Sequence, residues 1–160
     1  MLMETHPESD RELILLEHIE RDPDITQASL AAQLGVAVGT VNWHIKRLIS
    51  KGYVKVKRAQ RRKLRYIITP EGIAFRARLT VNYIETSMRL YRRTRMRVRE
   101  LLAEVQQCGY DRVQLIGDGD IADICRLTCL EQGINLTNDE DLPILEVNGM
   151  KVHLRFKEKE

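Results

Sequence analysis

Residues 25–53 read ITQASLAAQLGVAVGTVNWHIKRLISKGY, and the placing of capping, small and apolar residues in this stretch decides the fold. Thr26 stands where a helix N-cap belongs, with Leu30, Ala31 and Leu34 following on one face. Gly35 stops that helix, because glycine adopts the left-handed conformation that a helix end requires. Gly35 to Val38 turn the chain, and the next helix is expected from about Gly39 to Ser50, with Val41, Ile45 and Leu48 aligned and Gly52 beyond its end.

Upstream, Ser9 is the expected cap of a helix carrying Leu13, Leu16 and Ile19, with Asp10 and Glu12 in its first turn, where the helix dipole favours acids. It ends near Arg21, before Asp22 and Pro23. Downstream, Tyr53 to Lys57 and Leu64 to Ile68 are β-branched and aromatic and read as strands around a polar tip from Ala59 to Lys63. Helix, helix, short turn, helix and basic hairpin is the order of a winged helix-turn-helix. In that arrangement the third helix enters the major groove by its N-terminal residues, and the hairpin reaches the neighbouring backbone or minor groove.

Charge supports a polyanionic partner. Residues 1–40 carry 2 basic and 8 acidic groups, residues 41–100 carry 18 and 3, and residues 101–160 carry 6 and 12, so a net +15 block sits between two segments of −6. A solvated face would mix signs, whereas a concentrated basic block is the footprint of phosphate contact. At 160 residues the chain has room for one domain or two small ones, which excludes large multi-layer enzymes. Aromatics at 5% argue against an aromatic-lined cleft. No apolar run reaches membrane-span length and the first ten residues are polar and acidic, unlike a signal peptide, so a cytoplasmic protein with no membrane contact is expected. Three cysteines without framework spacing fit a reducing compartment.

Thr69, Pro70 and Glu71 supply a cap, a first-turn proline and a first-turn acid, and no breaker follows before Gly109. A helix from Pro70 to Cys108 would be about 58 Å long. Its apolar residues repeat every seven: Ala74, Val81, Met88, Arg95 and Leu102 form one column, and Ala77, Ile84, Tyr91, Val98 and Val105 the other. Self-association through Val81, Ile84, Met88, Tyr91, Val98, Leu102 and Val105 is therefore expected, as a homodimer or a higher oligomer, with Phe75, Leu79 and Tyr83 left to pack on the winged domain. Six arginines, Arg89, Arg92, Arg93, Arg95, Arg97 and Arg99, crowd this helix. They should repel one another unless acids of the last fifty residues, Asp118, Asp120, Asp123 or the 138–141 loop, dock beside them.

Beyond Tyr110 the pattern is strand (Arg112 to Ile116), helix (Gly119 to Gln132), strand (Ile134 to Thr137), then strands Ile144 to Val147 and Met150 to Phe156 flanking Asn148-Gly149, a strong hairpin signal. Gly117-Asp-Gly-Asp-Ile-Ala122 has the form G-x-G-x-x-A between strand and helix, with Asp139 further on, and so resembles the first βαβ unit of a dinucleotide-binding fold. Gly117, Gly119 and Asp139 are accordingly a candidate ligand loop for a small-molecule effector, although Asp118 and Asp120 place negative charge where phosphate would sit, and a purely structural turn is the better reading. No catalytic triad, H-E-x-x-H or P-loop occurs, and Cys125 and Cys129 lack a second pair for a metal, so neither enzyme activity nor a cofactor is expected.

The run from Ile25 to Lys57, with Gly-Val-x-x-Gly-x-Val-Asn at 35–42 and Thr-Pro-Glu-Gly-Ile at 69–73, resembles MarR-type winged helix-turn-helix regulators, and within them the subgroup associated with exopolysaccharide gene clusters in bacteria. The likeness covers about residues 10–105. It implies a DNA-binding transcriptional regulator acting as a homodimer on an inverted-repeat operator in double-stranded DNA, with Val38, Gly39, Thr40, Asn42 and Trp43 at the reading end of the third helix. Asn42 can pair with adenine, and Thr40 can offer its methyl to thymine or its hydroxyl to a phosphate. Lys46, Arg47 and Lys51 are expected to hold phosphates, and Arg61, Arg62 and Lys63 to make the wing contact, while His44 packs beneath the helix. The expected fold is α+β: a winged helix-turn-helix at 9–69, a long coiled-coil-like helix at 70–108, and a small α/β tail of βαβ plus β-hairpin at 110–160.

Overall fold

The computed structural model describes residues 7–60, 63–139 and 141–156. It divides into two compact units, Met1–Thr86 and Ser87–Glu160. The fold is α+β, as expected.

In the first unit three helices, α1 (Pro7–Arg21), α2 (Gln27–Leu34) and α3 (Val38–Ser50), precede a two-stranded hairpin, β1 (Val54–Ala59) and β2 (Lys63–Ile68). Helix α1 starts at Pro7 rather than after Ser9, since proline needs no N–H at a first helical position and Ser9 then lies inside the helix. The Thr26 hydroxyl accepts from Ser29 N–H at 3.1 Å, and Gly35 closes α2 at φ 65°, both as the residue types dictate. Leu13, Leu15, Leu16 and Ile19 of α1 pack with Leu30 and Ala31 of α2 and with Val41, Ile45 and Leu48 of α3 in one core. Val54 and Tyr66 tie the hairpin to it. Each fully buried aliphatic contributes about 1.5–3 kcal/mol, so these residues fix where α3 sits. The ladder runs from Val54↔Ile68 to Ala59↔Lys63, longer than the sequence suggested. Tyr66 N–H also donates to Pro23 O at 2.9 Å, which fastens β2 to the α1–α2 link.

Helix α4 (Pro70–Gln107) follows at once. The Thr69 hydroxyl donates to Gly52 O at 2.6 Å and accepts from Gly72 N–H at 3.0 Å, while Thr69 N–H donates to Tyr53 O at 3.0 Å. This knot brings the α4 backbone so near Tyr53 that a Cβ on Gly72 would collide with the Tyr53 carbonyl. Phe75 stacks on Tyr53 at 4.2 Å, Leu79 joins the core, and Arg76 pairs with Glu20. Tyr83 does not continue that stripe, because it is exposed.

In the second unit the order β4-β3-β5-β6 places β3 (Arg112–Ile116) parallel to both β4 (Asn135–Leu136) and β5 (Ile144–Asn148), with β6 (Lys151–Arg155) antiparallel to β5. Helix α5 (Gly119–Glu131) connects β3 to β4, giving the expected βαβ unit and hairpin. The hairpin turns one residue later than expected: Asn148 pairs with Lys151, so Gly149 and Met150 occupy the turn, with Gly149 at φ 59°. Val98, Leu101, Leu102 and Val105 of α4 are buried against Val113, Ile121, Ile124, Cys125, Cys129 and Leu145. Burial pushes the Cys125 thiol up to about 11 and that of Cys129 up to about 12, as suits small apolar packing residues.

This core corrects the dimer seam. Val98, Leu102 and Val105 face their own unit and cannot also face a second chain, whereas Val81, Ile84 and Met88 are exposed and Tyr91 is half-buried. Arg95, expected in the seam, pairs with Glu131 at 2.7 Å. A tail acid, Glu131, thus neutralises Arg95. Asp123 pairs instead with Arg126 at 2.6 Å, and Glu140 of the 138–141 loop lies outside the described residues. Among the described residues no helix is long and apolar enough to cross a membrane.

Candidate nucleic-acid interface

Helix α3 presents two chemically distinct sides. Val41, His44, Ile45 and Leu48 are buried. Val38, Gly39, Trp43 and Lys46 are exposed, and Thr40, Asn42 and Arg47 half-buried, so the residues expected to read DNA share the outer side and its N-terminal end. Ala37, the N-cap residue, makes no side-chain cap, and its carbonyl accepts from Thr40 N–H at 3.0 Å and Val41 N–H at 3.3 Å. A Cβ on Gly39 would meet nothing within 4 Å, so packing does not require glycine there. Glycine inside a helix costs about 1 kcal/mol against alanine, and what it leaves at Gly39 is clearance for an approaching backbone.

Trp43 is 50% exposed. Its ring meets the edge of His44 at 4.8 Å, and the Arg47 guanidinium stands 5.3 Å over it. Both contacts lie on its own helix. Arg47, expected to hold a phosphate, has two acids within reach in the free chain: its Nη1 reaches Glu8 at 3.2 Å and its Nε reaches Glu12 at 3.5 Å. Two acids of α1 therefore hold it, while Lys46 and Lys51 remain exposed cations. Burial, as the largest cause, holds the His44 imidazole below its usual range, so at neutral pH it packs as an uncharged ring, as expected.

On the hairpin Lys55, Lys57, Arg58, Lys63 and Arg65 are all exposed, with Arg65 in a loose pair with Asp24 at 3.8 Å. Arg61 and Arg62 lie outside the described residues. Sequence reasoning missed Glu8 and Glu12 as partners of α3. The signal was present for Glu12, which precedes Leu16 by four residues and Ile19 by seven and so falls on the apolar face of α1.

The glycine loop has a packing explanation. Gly117 has φ 130°, and a Cβ there would strike Val147, so glycine is demanded by the neighbouring strand β5. Asp139 is not gathered with that loop: its carboxylate pairs with Arg112 at 3.2 Å and takes Thr137 at 3.3 Å, and its carbonyl accepts from Gln114 at 2.7 Å. Among the described residues no group of three or more His, Cys, Asp or Glu could hold a metal ion.

Residues 9–55 match the family model of winged helix-turn-helix DNA-binding segments. A curated protein of Methanocaldococcus jannaschii, itself uncharacterized, is 37% identical over 60 residues, which are 38% of this chain and 22% of that protein. The chain thus spans about a fifth of the curated relative it matches. Among solved structures it is similar to MepR, a transcription regulator of the Staphylococcus aureus multidrug efflux pump MepA, at 22% identity and TM-score 0.45 over 54% of this chain and 62% of that one. It is also similar to Streptococcus pneumoniae FabT in complex with DNA, at 26% identity and TM-score 0.40 over 49% and 56%. A third is the zinc-responsive MarR family member ZitR of Lactococcus lactis, at 21% identity and TM-score 0.38 over 57% and 64%. Residues 9–55, in which α3 has a buried apolar side and an exposed outer side, thus match the winged helix-turn-helix DNA-binding model.

Proposed function

We propose that this chain is a transcriptional regulator that binds double-stranded DNA as a homodimer on an operator of inverted-repeat character, and that polysaccharide-biosynthesis genes are the first targets to examine. The observation that carries this reading is the outer side of α3, where Gly39, Thr40, Asn42 and Trp43 stand clear of the core beside an exposed basic hairpin. Thr40 and Asn42 read base edges, Lys46, Lys51 and Lys63 hold phosphates, and the wing follows the neighbouring groove. Two copies associate through Val81, Ile84, Met88 and Tyr91, an exposed to half-buried a/d stretch of α4, and two-fold symmetry in the protein imposes two-fold symmetry on the site.

The test is Asn42→Ala on a duplex selected by the protein and on a random duplex of the same length. Asn42→Ala should weaken the selected duplex by about 1–3 kcal/mol and leave the random one unchanged. An equal loss on both, read by titration at fixed salt, would mean sequence-neutral architectural binding driven by the basic block.

A further inference from the structure

On the inner side of α3, His44 faces Glu12 of α1. Their side chains are 3% and 6% exposed, and His44 Nδ1 stands 3.9 Å from Glu12 Oε1. Both atoms are buried without a hydrogen-bond partner. Two orphaned polar atoms turned toward each other are an arrangement that folds rarely keep, because each costs about 1–3 kcal/mol. The same Glu12 oxygen also lies 3.5 Å from Arg47 Nε, and Arg47 Nη1 reaches Glu8. Arg47 in turn covers Trp43, whose ring returns to the edge of His44. Glu12, Arg47, Trp43 and His44 therefore close a circuit, and one of its members, Trp43, belongs to the exposed side of α3.

We propose that Glu12 and His44 are positioning residues for DNA reading: with His44 neutral, the Glu12 oxygen holds Arg47 over Trp43 and keeps the outer side of α3 in its reading pose, and a proton on His44 draws that oxygen away and lowers discrimination between DNA sequences. This rests on α3 being the reading helix, as proposed above. A protonated imidazole carries a donor at both nitrogens, so Nδ1–H competes with Arg47 for one carboxylate oxygen. The charged groups facing the ring are Glu8, Arg11 and Glu12 from α1 and Arg47 from α3; the acids favour the imidazolium, the arginines oppose it, and burial opposes it most. Since the folded chain binds this proton less readily than an unfolded chain, whose histidine titrates near 6.5, the packed circuit is favoured above that pH and loses stability as pH falls below it.

The experiment uses the full-length protein and a duplex it selects from a random pool at about pH 7.5, with a scrambled duplex as control, and reads the ratio of the two affinities again at about pH 5.5. The wild-type ratio should fall on acidification, because the proton on His44 is taken up more readily by the free protein than by the specific complex. His44→Gln keeps a polar side chain but cannot titrate, so its ratio, whatever its level, should be the same at both pH values. Glu12→Gln removes the charge that holds Arg47 and should discriminate poorly at both. Independently of any variant, the His44 ring followed by nuclear magnetic resonance should take its proton at lower pH in the complex than in the free protein. A wild-type ratio that does not change with pH, a His44→Gln ratio that falls in parallel with wild type, or identical His44 titration free and bound overturns the positioning role. Absence of any preference for the selected duplex at the higher pH overturns instead the assignment of α3 as the reading helix.

Discussion

Gly72→Val should destabilise the first unit by about 4 kcal/mol, the large end of what core or backbone collisions cost. Its Cβ would drive into the Tyr53 carbonyl oxygen and the Ile68 side chain, and neither is the far end of a flexible chain. Relief requires α4 to move away, which breaks the bond from Thr69 N–H to Tyr53 O and the cap from Thr69 to Gly72 and separates Phe75 from the Tyr53 ring. Trp43 is the only tryptophan and lies in the first unit, so its fluorescence during urea unfolding of the full chain isolates the affected transition. Gly39→Ala is the control, since its Cβ meets nothing, and should raise the midpoint by the equivalent of about 1 kcal/mol. A Gly72→Val midpoint equal to wild type would mean that the knot at Thr69 does not hold α4 to the hairpin.

Ile84→Glu should leave each chain folded and raise the dimer dissociation constant about a hundredfold or more. Ile84 is 54% exposed within one chain, so the change costs little intramolecular packing. In a symmetric interface it removes two buried aliphatics, worth about 1.5–3 kcal/mol each, and puts two carboxylates together. Sedimentation equilibrium across protein concentration reads this directly. Wild-type protein that stays monomeric at high concentration would overturn the homodimer, and Ile84→Glu that dimerises like wild type would place the interface elsewhere on the chain.

The two variants also mark how much could be read from the residues. The pattern Val41, Ile45, Leu48 located α3 and its buried side, since a 3.6-residue period on one face has a single reading when capping and stop residues flank it. The seven-residue repeat of α4 did not have a single reading. Val81, Ile84 and Met88 share their phase with Val98, Leu102 and Val105, and nothing local distinguishes a side chain that awaits a second helix from one already covered by α5 and the β3–β5 sheet. The charge of Arg47 is legible in the sequence, whereas its partner Glu8, 39 residues away, is not. Asn148-Gly149 identified the second hairpin and missed its register by one residue, since the turn is set by which residues pair, here Asn148 with Lys151. The glycines of the 117–119 loop have the form of a phosphate cradle, but a structural turn is the better reading of them, and the approach of Val147 gives the packing reason at Gly117.

Selection of duplexes from a random pool by the full-length protein, followed by titration of the enriched sequence, tests the central claim most directly. A homodimer reading through α3 should enrich two half-sites in inverted orientation with centres about 10 base pairs apart or a multiple of that. It should bind the enriched duplex about a thousandfold or more tightly than random DNA at the same salt. No enrichment, with equal affinity for selected and random duplexes, would contradict it.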